Sequence, residues 1–168
     1  MNIEKELRIM HACEMGAVGV YRGHKCVARY FFRKNLAELD NMRFHEKDHA
    51  AIFSSLLKER NARLCLGHQL FFWGGLIYGV AVGFMGLRAI GTSTYTIERI
   101  VDEEFDIALP KFYREKTISE KIRAVQLEEQ EHRDSGLELA GEQYFLSGFV
   151  ETIAKTGAYT AKFLASSL

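Results

Sequence analysis

A carboxylate and an imidazole three residues apart occur twice in this chain, each time on what the spacing predicts to be the buried side of a helix. In FHEKDHAAIF, residues 44–53, Glu46 and His49 share a stripe with Met42 and Phe53. In LEEQEHRD, residues 127–134, Glu129 and His132 share a face with Val125 and Gly136. Burying such groups costs several kcal/mol of desolvation unless something pairs with them. About thirty residues before each pair stands one more Glu on an apolar stripe. Glu14 lies among Leu7, Ala17, Val18 and Tyr21, and Glu98 among Tyr95, Val101 and Phe105. That separation lets one helix end, turn and return antiparallel, so each lone Glu can face its Glu-x-x-His.

The chemistry accounts for the spacing. Residues i and i+3 of a helix lie on consecutive turns of one face, about 5–6 Å apart. Each pair can give an oxygen and a nitrogen to one metal while its Glu bridges to a second. The candidate ligands are therefore Glu14, Glu46, His49, Glu98, Glu129 and His132, with Glu46 and Glu129 as bridges and the two histidines terminal. Mixed oxygen and nitrogen donors suit iron or manganese. Cys13, Cys26 and Cys65 contain no C-x-x-C pair, which argues against a thiolate zinc site and for a reducing compartment. This donor set is that of di-iron and di-manganese carboxylate bundles. His45 lies off the apolar stripe and is expected to be exposed. His11, His24 and His68 have no paired ligand pattern, so structural or surface roles are expected.

Helical periodicity runs through nearly the whole chain, interrupted by a single proline, Pro110. It predicts six helices, at about Ile3–Arg33, Leu36–Ala62, Leu64–Leu87, Ser93 or Thr94 to Pro110, from Thr117 or Ser119 onward, and Leu139–Ser166. Phe145, Phe149, Val150 and Ile153 form the apolar stripe of the last. With 48% apolar and 26% charged residues, the chain is globular, and residues 1–168 are expected to form one domain. Zero formal net charge gives no global attraction to nucleic acid. The N-terminal MNIEKELRIM enters a helical pattern at once, without an apolar signal core or an Arg/Ser-rich transit segment. The expectation is a bacterial cytoplasmic protein, or one trimmed of a targeting peptide.

LFFWGGLIYGVAVGFMGL, Leu70 to Leu87, is uncharged and about the minimum length of a membrane span. A true span would put Glu46 and Glu98 on opposite sides of the bilayer, and the two half-sites could not meet. A fully buried core helix is one alternative. The favoured reading is a helix lying partly in the membrane, with Trp73 and Tyr78 at the interface and the last helix as the other wall of a greasy channel. Gly75, Gly79 and Gly83 recur every fourth residue, a smooth strip for close helix contact or for passage of a lipid tail. Arg22, Lys25, Arg29 and Arg33 form a basic stripe on the first helix. It reads as a solvated face, with contact to anionic head groups or nicotinamide phosphates as the sharper alternative.

Four segments together resemble one family. RIMHACEMGAVGVYRGH, MRFHEKDHAAIF, STYTIERIVDEEF and LEEQEHRDSGLELA are similar, in order and with matching gaps, to the ligand segments of the Coq7 (demethoxyubiquinone hydroxylase) family. The resemblance implies a ferritin-like all-α bundle with about six helices, two of them apolar and membrane-associated. It implies two iron ions on the six residues named above, with O₂ and a reductant such as NADH as co-substrates. The implied reaction is O₂-dependent hydroxylation of the benzoquinone ring of a demethoxyubiquinone-type polyprenyl precursor in ubiquinone biosynthesis. The implied partners are the lipid quinone, a membrane surface and either a second copy or other quinone-biosynthesis proteins, with no nucleic acid. The implied place is the cytoplasmic side of a bacterial inner membrane, or the mitochondrial inner membrane. The chain departs from the family at Met10, Cys13 and His24, where Asp, Gly and Gln are usual, and at Glu103, Glu104 and Phe105, read against a His-His-Tyr run. The rival readings are an iron-storage or other metal-binding protein of the ferritin type, and a di-iron or di-manganese oxidase with another substrate.

Overall fold

The computed structural model describes residues 2–167. It contains six α-helices: α1 (Ile3–Phe31), α2 (Leu36–Glu59), α3 (His68–Phe84), α4 (Leu87–Ala108), α5 (Lys116–Ala140) and α6 (Ser147–Ser167). Single 3₁₀ turns at Arg33–Asn35 and Leu109–Phe112 join α1 to α2 and α4 to α5. The described residues include no strand. Local chemistry sets several ends. Asn2 caps α1 by accepting from the Lys5 N–H at 2.9 Å, and Glu4 and Glu6 in the first turn complement the helix dipole. Pro110 falls in the 3₁₀ turn that ends α4, because it cannot continue the helical hydrogen-bond ladder. Gly141, with φ 63°, closes α5 in the left-handed region.

The bundle pairs α1 with α2 and α4 with α5, and sets α2 against α5 and α1 against α4. These four helices enclose two apolar clusters. Leu7, Phe53, Leu57, Phe105, Phe112 and Ile122 pack at one end. Tyr21, Ala28, Leu39, Met42 and Ile90 pack at the other. Each fully buried Leu, Ile or Phe contributes about 1.5–3 kcal/mol. On α1 the clusters are reached through Leu7 and Tyr21, with Glu14 midway. On α2 they are reached through Phe53 and Met42, with Glu46 and His49 between. The core therefore leaves one polar layer across its middle.

α3 is held against α1 by glycines on both sides. A Cβ at Gly79 would overlap the carbonyl of Val20, and one at Gly75 the carbonyl of Gly16. A Cβ at Gly23 would stand 2.6 Å from the Leu76 oxygen. Gly79 and Gly83 are thus covered by α1, while Gly75 meets α1 on one side and also lines the cavity described below. The opposite face of α3 bears Leu70, Trp73, Ile77 and Phe84, each more than half exposed. This excludes the fully buried core helix. No described helix is long and apolar enough to cross a membrane.

The starts of three helices move most. α3 begins at His68 rather than Leu64, after a turn in which Asn61 takes φ 53°. α4 begins at Leu87, six or seven residues ahead of the predicted caps. Its start is set by Gly86, at φ 110°, while Ser93 and Thr94 are buried inside the helix. The Ser93 hydroxyl is hydrogen bonded to Tyr78 Oη at 2.8 Å. α6 begins at Ser147, leaving Leu139 in α5 and Phe145 fully exposed ahead of α6.

Candidate metal centre

Glu14 from α1, Glu46 and His49 from α2, Glu98 from α4, and Glu129 and His132 from α5 meet in the polar layer, all at most 4% exposed. Helical spacing puts each Glu-x-x-His on one face, and antiparallel return brings the lone carboxylates opposite. The donor atoms fall into two groups, Glu14, Glu46, His49 and Glu129, and Glu46, Glu98, Glu129 and His132. Within each group they lie within 4.8 Å of one another. Glu46 and Glu129 belong to both. Glu129 Oε1 is 2.9 Å from His49 Nδ1, and its Oε2 is 3.1 Å from His132 Nδ1. Glu46 Oε1 is 3.2 Å from the same His132 nitrogen. Neither buried oxygen of Glu46 is satisfied by a hydrogen bond.

Crowding four carboxyls away from water shifts their protonation. Burial, then the charges of Glu129 and Glu46, pushes Glu14 well above the usual carboxylate range. Burial and Glu129 do the same to Glu46, and burial, Glu129 and Glu46 to Glu98. Burial would also raise Glu129, but hydrogen bonds from His132 and His49 hold it at about 2. Burial opposes charge on His49, and the Glu129, Glu14 and Glu128 carboxylates outweigh it, lifting His49 to about 9. A divalent cation would relieve this repulsion and occupy the unsatisfied oxygens of Glu46. Oxygen and imidazole donors without thiolate fit iron or manganese. The cluster is therefore able to bind metal.

A cavity of about 660 Å³ reaches this layer from one side. Glu14, Glu46 and Glu98 stand on its wall, with α1, α3, α4 and α6 around it. Its lining is mainly apolar, including Ile9, Ala17, Val101, Ala154, Ala161 and Leu164. Glu6–Lys111, at 3.2 Å, and Glu104–Lys162 are ion pairs whose residues also line it. Of the residues read against the His-His-Tyr run, Glu104 lines the cavity, Phe105 lines it while packing on Phe53, and Glu103 is exposed. Met10 and Cys13 line it too.

Three side chains that sequence reasoning did not place at the centre touch it. Tyr21 O–H donates to Glu98 Oε1 at 2.6 Å in full burial. Glu128 Oε2 accepts from His49 Nε2 at 3.0 Å. His45, expected to be exposed, is partly buried and lies with Nδ1 3.0 Å from His132 Nε2, the rings stacked at 5.2 Å. The reason is that α2 and α5 face each other, so a residue beside the buried stripe still meets the partner helix. The remaining histidines stay apart from the cluster. His24 is fully buried and held at about 3 by burial, His11 is held at about 4 by burial and His68, and His68 Nδ1 bonds to the Cys65 carbonyl. In the basic stripe, Lys25 pairs with Asp40 at 2.6 Å and Arg22 lies over the Phe72 ring.

Known proteins resemble the chain along nearly its whole length. A mitochondrial protein of Dictyostelium discoideum named NADPH-dependent 3-demethoxyubiquinone 3-hydroxylase is 26% identical over 168 residues, 98% of this chain and 76% of its own length. The 3-demethoxyubiquinol 3-hydroxylase of Rhodospirillum rubrum is 28% identical over 165 residues, 95% of this chain and 77% of its own. That of Paraburkholderia xenovorans is 28% identical over 165 residues, 94% of this chain and 75% of its own. The family described as ubiquinone biosynthesis protein COQ7 matches residues 1–165. With a match that continues through all four helices of the polar layer, this chain belongs to the COQ7 family.

Proposed function

We propose that this protein hydroxylates the ring of a 3-demethoxyubiquinol-type polyprenyl precursor with O₂, using two iron ions held by Glu14, Glu46, His49, Glu98, Glu129 and His132. The observation that carries this reading is the apolar cavity ending on three carboxylates of the cluster. Storage of hydrated iron needs a polar ion route, and a lipid ring with a long tail needs an apolar one. The names of the relatives point to the same substrate class.

The chemistry such a pair of ions supplies when bound is O₂ activation, with one atom going to the ring and the other to water at the expense of two external electrons. The chain's own residues do the rest. Ala17, Val101, Ala161 and Leu164 exclude water and accept the ring and first part of the tail. The carboxylates can move between one- and two-oxygen binding as charge changes. Tyr21 fixes the orientation of Glu98 through its 2.6 Å hydrogen bond. The electrons come from a reduced nicotinamide, as the name of the Dictyostelium relative implies for that protein. The exposed apolar faces of α3 and α6 rest on a membrane surface and present the cavity to lipid. That surface is the bacterial inner membrane or its mitochondrial counterpart.

The test supplies a demethoxylated quinol, a reductant and isotopically labelled O₂. Wild-type protein should add one labelled oxygen atom per product, and Glu46→Ala and Glu129→Ala should lose both iron and turnover while keeping their helical content. Repeated oxidation of many irons per chain, with no labelled product under any reductant, would favour storage instead.

A further inference from the structure

The two halves of the cluster share Glu46 and Glu129, yet their surroundings differ in charge. In the first half, His49 turns Nδ1 toward the shared carboxylates and Nε2 toward the Glu128 carboxylate, 3.0 Å away. In the second, His132 turns Nδ1 inward and Nε2 toward His45 Nδ1, also 3.0 Å away. An imidazole that gives one nitrogen to a metal keeps its proton on the other. With Nδ1 on a metal, His132 would donate from Nε2–H to His45 Nδ1. Glu128 Oε2 is 3.7 Å from His45 Nδ1, outside hydrogen-bond reach.

An anion behind a ligand histidine raises its basicity, and a neutral ring does so less. The lone carboxylates differ in the same sense. Glu98 shares its charge with the Tyr21 hydroxyl at 2.6 Å. Glu14 has no such donor among the described hydrogen bonds, and the nearest imidazole nitrogen, His49 Nδ1, is 3.9 Å away. Both differences place more negative charge at the Glu14–His49 half.

We infer that the two metal positions are unequal. The Glu14–His49 position fills first and holds a divalent ion more tightly, and Glu128, His45 and Tyr21 set the difference as positioning residues. The inference rests on the dimetal reading of the cluster. It implies a chain that carries one ion firmly and exchanges the second, and an ordered loading during assembly.

Zn(II), a diamagnetic probe, tests this with the full chain and histidine labelled in nitrogen-15. At one equivalent, side-chain resonances of His49 should shift to a metal-bound pattern, with Nδ1 ligated and Nε2 protonated, while those of His132 move only at the second equivalent. Glu128→Gln keeps an acceptor and removes the charge. It should weaken the first step by about 10–100-fold and erase the order. His45→Phe keeps the stacked ring and removes the acceptor, and should weaken only the second step. Tyr21→Phe should tighten the second step. His132 responding first or in parallel with His49, or Glu128→Gln leaving the order unchanged, overturns the inference while leaving two bound ions. Wild-type protein that binds no ion at either position overturns the dimetal reading itself. Affinity losses that merely track a lowered melting temperature of the metal-free variants also count against it, because the residues would then be structural.

Discussion

Glu46 and Glu129 occupy the same layer and both touch imidazoles, yet burial and hydrogen bonding pull them in opposite directions. Glu129 is ionised between two imidazoles, while Glu46, with Glu14 and Glu98, is driven toward the neutral acid. Each raised carboxyl stabilises the metal-free fold while protonated, and that contribution is lost as pH rises through its raised value. His49 acts in the same direction. Its contribution is complete below 6.5 and disappears as pH rises through about 9, a span on the order of 3 kcal/mol. Glu129 contributes above its ordinary value of 4.5 and loses that contribution as pH falls toward about 2. The metal-free protein should therefore melt at progressively lower temperature from pH 6.5 to 9, and the loaded protein should not, since a cation holds the carboxylates ionised. Thermal melts of both forms across that range check this. A metal-free melting temperature that holds constant or rises would mean the carboxyls are already ionised. Six residues of this layer are legible in sequence because helical spacing and matched separations betray them. Glu128 and His45 are not, since each looks like a surface residue until a helix some eighty positions away supplies its partner.

At the scale of elements, the α1–α3 contact governs whether the cavity has a wall. Gly19, Gly75 and Gly79 let two backbones approach so closely that a Cβ at any of the three overlaps main-chain atoms of the other helix. Gly79→Leu should therefore destabilise the fold by about 1–3 kcal/mol or more, since main chain cannot rotate aside as a side chain can. At about 2–4 °C per kcal/mol for a chain of this size, the melt should fall by several degrees. Gly74, with open space around its Cβ position, is the control, and Gly74→Ala should leave the melt nearly unchanged. Equal melting of both variants would mean that α3 is not clamped to α1. The glycine repeat announces close contact in the sequence but not with what, so both a helix and a lipid tail are candidates for the space. The start of α4 was misplaced for a related reason. Ser93 and Thr94 resemble caps, but Ser93 bonds instead to Tyr78 on the neighbouring helix. Gly86, whose positive φ makes the break, is one glycine among fourteen.

For the whole molecule, the distribution of exposed apolar groups separates two faces of unlike chemistry. Leu70, Trp73, Ile77 and Phe84 line the outside of α3, and Phe149, Tyr159, Phe163 and Leu164 stand exposed on α6. These helices also wall the cavity, so the greasy exterior and the greasy interior belong to one side of the bundle. The α2 and α5 helices expose fewer large apolar side chains, Phe44, Leu127 and Leu137, and carry His45 and Glu128. The cavity reaches Glu14, Glu46 and Glu98 from the side of α3 and α6. Burying a large side chain fully is worth about 1.5–3 kcal/mol, so removing one of several from a membrane contact should weaken it by roughly tenfold or more. Trp73→Asp and Ile77→Glu should each reduce flotation of the purified protein with vesicles to that extent, without lowering its melting temperature. Leu127→Glu, on α5 and also exposed, should float like wild type. If α3 and α5 substitutions act alike, or wild-type protein stays behind when vesicles rise, then this apolar side is covered by something other than lipid. The paired assay is quinol turnover in detergent against turnover in vesicles. A membrane-facing cavity predicts that Trp73→Asp loses activity in vesicles and retains it in detergent, where substrate no longer has to be drawn from a bilayer.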